Sequence, residues 1–166
     1  MSNQSAIRPR TELPFRREEW DLLVKLPGRV VVAATSAEAD RARRTVAEGL
    51  AGIDAIAAGR ASASRLVRDV VAAIYDESDD DQPAAEEFRH REAGIAEVLA
   101  SCRVAGRLLV ERAGRVEADA YRNWLGAIAT RVCHAARTGG VLGLGGQAVS
   151  PAERRFLADL AAAFDG

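Results

Sequence analysis

Apolar residues in this chain recur three and four positions apart, the spacing of one face of a helix. Residues that favour strands are sparse and fall on the same helical spacing, with aromatics at only 5%. A sheet protein is therefore excluded. The expected fold class is all-α, a single-domain helical bundle of five to seven helices. The 166 residues suit one domain and would crowd two. Thirty-four alanines allow such helices to approach closely.

The periodicity places the elements. Residues 1–14, polar and with two prolines, are expected as a flexible N-terminal arm, and residues 15–166 as the helical domain. A first helix is predicted from Arg16 to Thr35, with Trp20, Leu23, Val24, Val31 and Ala34 on one face. Pro27 inside it must kink or divide the helix. A second helix is predicted over Glu38–Ala57. Ser36 is its N-cap, Gly59 its C-terminal signal, and Val46, Leu50, Ile53 and Ile56 or Ala57 turn inward. A third helix over Ser62–Tyr75 buries Leu66, Val67, Val70 and Ile74.

The acidic stretch from Asp76 to Pro83 reads as a solvated connection between two helical halves. A long fourth helix follows, Ala84–Ala113, with Phe88, Ile95, Leu99, Cys102 and Leu109 in its stripe and Gly114 ending it. The fifth, Glu117–Arg137, carries Tyr121, Trp124, Leu125, Ile128 and Val132 on one side. Small residues on its other side (Ala120, Gly126, Ala127 and Ala129) mark a central helix with neighbours on two faces. In the last helix Ser150, Pro151 and Glu153 form a capping box.

Charge excludes several function classes. Twenty-three basic and 24 acidic residues leave a net charge of -1, unlike a nucleic-acid binder. The cluster Arg41, Arg43 and Arg44 is balanced by Glu38, Asp40 and Glu48. No apolar run reaches the length of a membrane span or a secretion signal. Two cysteines, Cys102 and Cys133, are too few for a disulfide framework and read as reduced thiols of a cytoplasmic protein. The preference for Arg over Lys and the abundance of Ala fit a high-GC bacterial genome.

The motifs that could carry chemistry are incomplete. Read as a calcium loop from Asp76, the acidic stretch places Asp76, Ser78, Asp80 and Glu87 at ligand positions. Asp81 replaces the turn glycine, and Pro83 stands where an aliphatic belongs. Asp76, Asp79, Asp80, Asp81 and Glu87 are thus the candidate ligands for a divalent cation, bound without an EF-hand fold. Glu87 and His90 make one Glu-x-x-His pair, where a di-iron bundle needs two; Arg131 precedes His134 at the matching place. Cys133 and His134 are adjacent and cannot face one site on a helix. The glycines between Gly139 and Gly146 precede a helix N-terminus but follow a helix and lack the Lys-Ser or Lys-Thr of a phosphate loop. With Val141, Leu142 and Leu144, that loop is expected to tuck onto the bundle.

The C-terminal third resembles the TerB-like helical family of tellurite-resistance type. The matching residues are Ala135, Ala136, Gly139 and Gly140, then Val149, Ser150 and Glu153. Val31 to Ala34, followed by Ser36 and Glu38, repeat that outline faintly. Thr138 stands where the family has an Asp. The resemblance implies a paired arrangement of helices and a stress-response protein that binds divalent cations through acidic residues.

Three readings follow. The leading one is a non-catalytic cytosolic interaction or regulatory module that self-associates, with no cofactor. The second is the TerB-like cation binder. A third assembles an enzyme site from Cys133, His134 and the glycine loop.

Overall fold

The computed structural model describes residues 14–37, 45–76, 91–138 and 149–165, all of them helix or short connection. Six α-helices follow in order: α1 (Arg17–Ser36), α2 (Thr45–Ala58), α3 (Arg65–Asp76), α4 (Arg91–Arg112), α5 (Arg115–Thr138) and α6 (Pro151–Ala163). One 3-10 turn, Gly59–Ala61, links α2 to α3. The all-α bundle expected from the periodicity is what forms. Residues 1–13 of the expected arm lie outside the described residues, as do 77–90 and the glycine loop.

The helices start where local chemistry provides a start. At α1, the Arg16 N–H donates to Glu19 Oε2 at 2.7 Å, and Phe15 stacks on Trp20 with ring centroids 6.1 Å apart. An aromatic pair from the residue before the cap to the fourth helical position is a hydrophobic staple, which fixes the chain's entry angle. At α6, the Ser150 hydroxyl accepts the Glu153 N–H at 3.1 Å and Glu153 Oε2 accepts the Ser150 N–H at 2.7 Å. The capping box read from the sequence is therefore in place. At α3 the cap comes partly from elsewhere. Ser64 Oγ accepts the Val67 N–H at 3.1 Å, and Glu117 Oε2 of α5 accepts both the Ser64 hydroxyl (2.6 Å) and the Leu66 N–H (3.0 Å).

Gly114 ends α4 as expected. Its φ of 85° is the left-handed conformation that glycine adopts without strain, and its N–H bonds Leu109 O at 3.0 Å. α2 ends at Ala58, directly before Gly59 as expected, though Gly59 closes it without a positive φ and opens the 3-10 turn. One correction concerns Ser36. It does not cap α2; it is the last residue of α1, which closes on Ala37.

α1 runs unbroken through Pro27, which is buried. A proline at that place removes the N–H that would bond the carbonyl four residues earlier, Leu23 O. The hydroxyl of Tyr121, fully buried on α5, donates to that same carbonyl at 2.7 Å. The helix survives because a neighbour supplies the missing donor.

α5 touches all five other helices. Tyr121, Leu125, Ile128, Ala129 and Val132 are fully buried along it, among the core residues Leu23, Leu26, Val30, Val67, Val70, Val98 and Leu109. This is the central helix expected from its small second face, although Ala127 on that face is exposed. Since α5 packs on α1 to α3 and on α4 and α6, the helices before and after the acidic stretch share one core. α1 and α4 are tied at both ends: Arg29 Nη2 to Glu97 Oε1 at 3.1 Å, and Arg112 Nη2 to Glu19 Oε1 at 3.4 Å.

Candidate functional site

The bundle departs most from expectation at α2. Val46, Leu50 and Ile53, expected inward, are 69%, 59% and 55% exposed. The buried residues of α2 are Glu48, Gly52, Ala55 and Ile56. At 100° per residue Glu48, Gly52 and Ala55 lie on the opposite side of the helix from Val46, Leu50 and Ile53, and Ile56, buried as expected, lies at the edge between them. α2 thus has two apolar faces, and the smaller-residue face is the one against the bundle.

Close approach explains that choice. A Cβ on Gly52 would lie 2.6 Å from Val31 Cγ1 of α1. A Cβ on Gly59 would lie 2.8 Å from both the Trp124 indole nitrogen and Val71 Cγ2. Only a glycine leaves room at either place. The indole nitrogen of Trp124 donates to Ala55 O at 3.4 Å, which holds the end of α2 on α5. Had Leu50 and Ile53 faced inward, α2 could not sit this close to α1 and α5. Large side chains at helical spacing suggested the wrong face. The signal that finds the right one is the series Gly52, Ala55, Ile56 and Gly59, which shares one face and admits a neighbouring backbone.

The outward face has little polar character. Gly49, where an added Cβ meets nothing within 4 Å, and the half-buried Ala57 lie beside Val46, Leu50 and Ile53. The charged residues of α2 are Glu48, on the buried side, and Asp54, at the edge of the outward stripe. A helix that is apolar all round is ordinarily covered on all sides.

A second surface feature lies between α5 and α6. It is a shallow groove of about 280 Å³ lined by Asn123, Gly126, Thr130, Leu157 and Ala161 and bounded by Phe164. The Arg122–Asp165 ion pair ties α5 to the end of α6. Ala161 is exposed here, and Ala163 is buried beside Phe156 and Leu160.

The other candidate residues are dispersed. Asp76 is exposed at the end of α3, while Asp79, Asp80, Asp81 and Glu87 lie outside the described residues. So do His90, the Arg41–Arg44 cluster and Gly139 to Gly146. Among the described residues, no group of three or more His, Cys, Asp or Glu side chains could hold a metal ion. Cys133 is buried and His134 exposed, so the two point apart, as adjacency on a helix requires. Cys102 is buried in the core stripe; burial pushes its thiol up to about 12, against the opposing influence of Arg29 and Arg103. Such a thiol stays protonated and unreactive at neutral pH. Tyr121 is likewise raised well above the usual phenol range, by burial first and by Cys102 second. Among the described residues, no helix is long and apolar enough to cross a membrane.

Of the residues that carry the TerB-like resemblance, Ser150 and Glu153 form their cap, whereas Gly139 and Gly140 fall outside the described residues. Comparison with known proteins finds no family model that matches the chain, and no match among curated proteins or solved structures.

Proposed function

We propose that this chain is a non-catalytic helical interaction module that self-associates through exposed apolar surface. The observation that carries the reading is the outward face of α2: three large aliphatic side chains, each more than half exposed, on one line of one helix. Fully burying such a side chain contributes roughly 1.5–3 kcal/mol, so covering three that are half exposed offers several kcal/mol toward association. The polar side chains that the bundle orders support the non-catalytic part. Glu117 and Glu153 cap helices, Tyr121 satisfies a backbone carbonyl, and Arg29 ties α1 to α4. The reduced thiols Cys102 and Cys133 fit a cytosolic setting.

Gel filtration with light scattering tests the reading. The mass is expected to rise above 17.7 kDa as protein concentration increases. A mass that stays at the monomer value at the highest attainable concentration removes self-association.

A further inference from the structure

We propose that the groove between α5 and α6 binds a small amphiphilic carboxylate, its carboxylate on Arg122 and its apolar chain over Gly126 toward Leu157. The inference goes beyond the interaction reading above and stands on different helices.

The groove exists because of a glycine. Gly126 sits in mid-helix, where glycine is a poor helix former. Gly52, Gly59 and Gly106 each face a neighbour that leaves no room for a larger residue: Val31, then Trp124 and Val71, then the Phe164 ring. At Gly126 an added Cβ would meet nothing within 4 Å, so no close approach explains the missing side chain. Gly49 has the same freedom, but on an outward face; Gly126 has it opposite a wall. Asn123, Gly126 and Thr130 share one face of α5, and Leu157, Ala161 and Phe164 share one face of α6. Between them lies the space of about 280 Å³. That is close to the lower end, ~300 Å³, of small-molecule sites, and suits a ligand of few atoms.

The lining sets the chemistry of the ligand. Leu157, Leu160 and Phe164 supply an apolar wall, and Asn123 and Thr130 a polar rim. The Phe164 ring is backed by Gly106 of α4, with Cδ1 only 3.1 Å from where a Cβ would stand, so this part of the wall is fixed. Arg122 is the charged side chain among the lining residues, and a guanidinium selects a carboxylate. A carboxylate is already seated on it, that of Asp165 just beyond α6. The side chains of Arg122 and Asp165 are 33% and 59% exposed, a surface pair of the kind that contributes little to stability. A ligand carboxylate therefore replaces Asp165 at small cost. Its chain then adds apolar contact in the groove that an aspartate side chain is too short to make.

Hexanoate is the probe and hexanol its uncharged control, in an amide NMR titration of the full chain. Hexanoate is expected to give saturable shifts at Gly126, Thr130 and Ala161, with a Kd on the order of 0.1–1 mM for a ligand of this size. Arg122→Gln is expected to weaken hexanoate about tenfold and to leave hexanol unchanged. Gly126→Leu fills the groove and is expected to abolish binding of both, while melting at or above the wild-type temperature. Asp165→Asn removes the internal competitor and is expected to tighten hexanoate binding, a gain that a merely structural ion pair would not produce. No saturable shift in the groove up to about 20 mM overturns the site. Equal affinity for hexanol and hexanoate overturns the carboxylate as the ligand class. Hexanoate binding unmoved by Asp165→Asn overturns the exchange on Arg122.

Discussion

A proline in mid-helix and a phenol 94 positions later in the sequence answer one another here. Pro27 leaves Leu23 O without its helical donor, and the Tyr121 hydroxyl takes the vacancy at 2.7 Å. Tyr121→Phe keeps the packing and removes the donor, so a buried carbonyl loses its partner. The expected cost is about 1–3 kcal/mol, measured by urea denaturation. Pro27→Ala restores a backbone N–H at the right place. In the Pro27→Ala background, Tyr121→Phe is expected to cost less, and equal costs in the two backgrounds would refute the compensation. The sequence showed both residues but not their relation. The helical pattern placed Tyr121 in the core and flagged Pro27 as a break. Which hydroxyl reaches which carbonyl depends on how α1 and α5 pack, and periodicity along either helix is silent on that.

At the scale of the element, α2 separates two properties that usually travel together, bulk and burial. Its inner face is set by how near α1 and α5 come, and that nearness requires Gly52 and Gly59. Gly52→Ala drives a Cβ into the branched side chain of Val31, which has no flexible end to move aside. Helix propensity favours alanine by about 1 kcal/mol, yet the clash is expected to reverse the sign and destabilise by about 1–3 kcal/mol, seen as a lowered melting temperature. Gly49→Ala, with open space around it, is the control and is expected to stabilise slightly. The other helices were legible because their large and buried faces coincide. In α5, Tyr121, Trp124, Leu125, Ile128 and Val132 fell where expected. In α2, Ile56 fell where expected but Val46, Leu50 and Ile53 marked the wrong face, since a rule that weighs hydrophobicity alone cannot register how close a neighbouring backbone must come.

At the scale of the molecule, one core assembled around α5 links stability to alkaline pH. Cys102 ionises near 9.0 when unfolded and is pushed up to about 12 in the fold, and Tyr121 shifts in the same direction. Groups with raised folded values favour the native state below their unfolded values. Stability is thus constant below about pH 8 on this account and falls as pH rises from 9 toward 12, where the unfolded chain releases protons that the native chain retains. Cys102→Ala is expected to lower stability at pH 7 by opening a small cavity, and also to flatten the loss between pH 9 and 12. Thermal melts across that range measure both. The class of fold and the central helix were legible because they follow from spacing and residue size. The outward stripe was not, because which face of a helix stays exposed depends on what packs against the other.

The cap of α3 has a consequence for synthesis from the N-terminus. Ser64 and Leu66 are chain neighbours of the turn they begin, but Glu117, which accepts from both, is made about fifty residues later. Until then the first turn of α3 is held by local bonds, from the Val67 N–H to the Ser64 hydroxyl and from Arg68 to Ser62 O, Ala63 O and Ser64 O, and the Leu66 N–H lacks its acceptor. A nascent chain paused before residue 117 carries an α3 whose opening turn frays, and the arrival of a single carboxylate on α5 closes it. In this protein, the start of an early helix is finished by a late one.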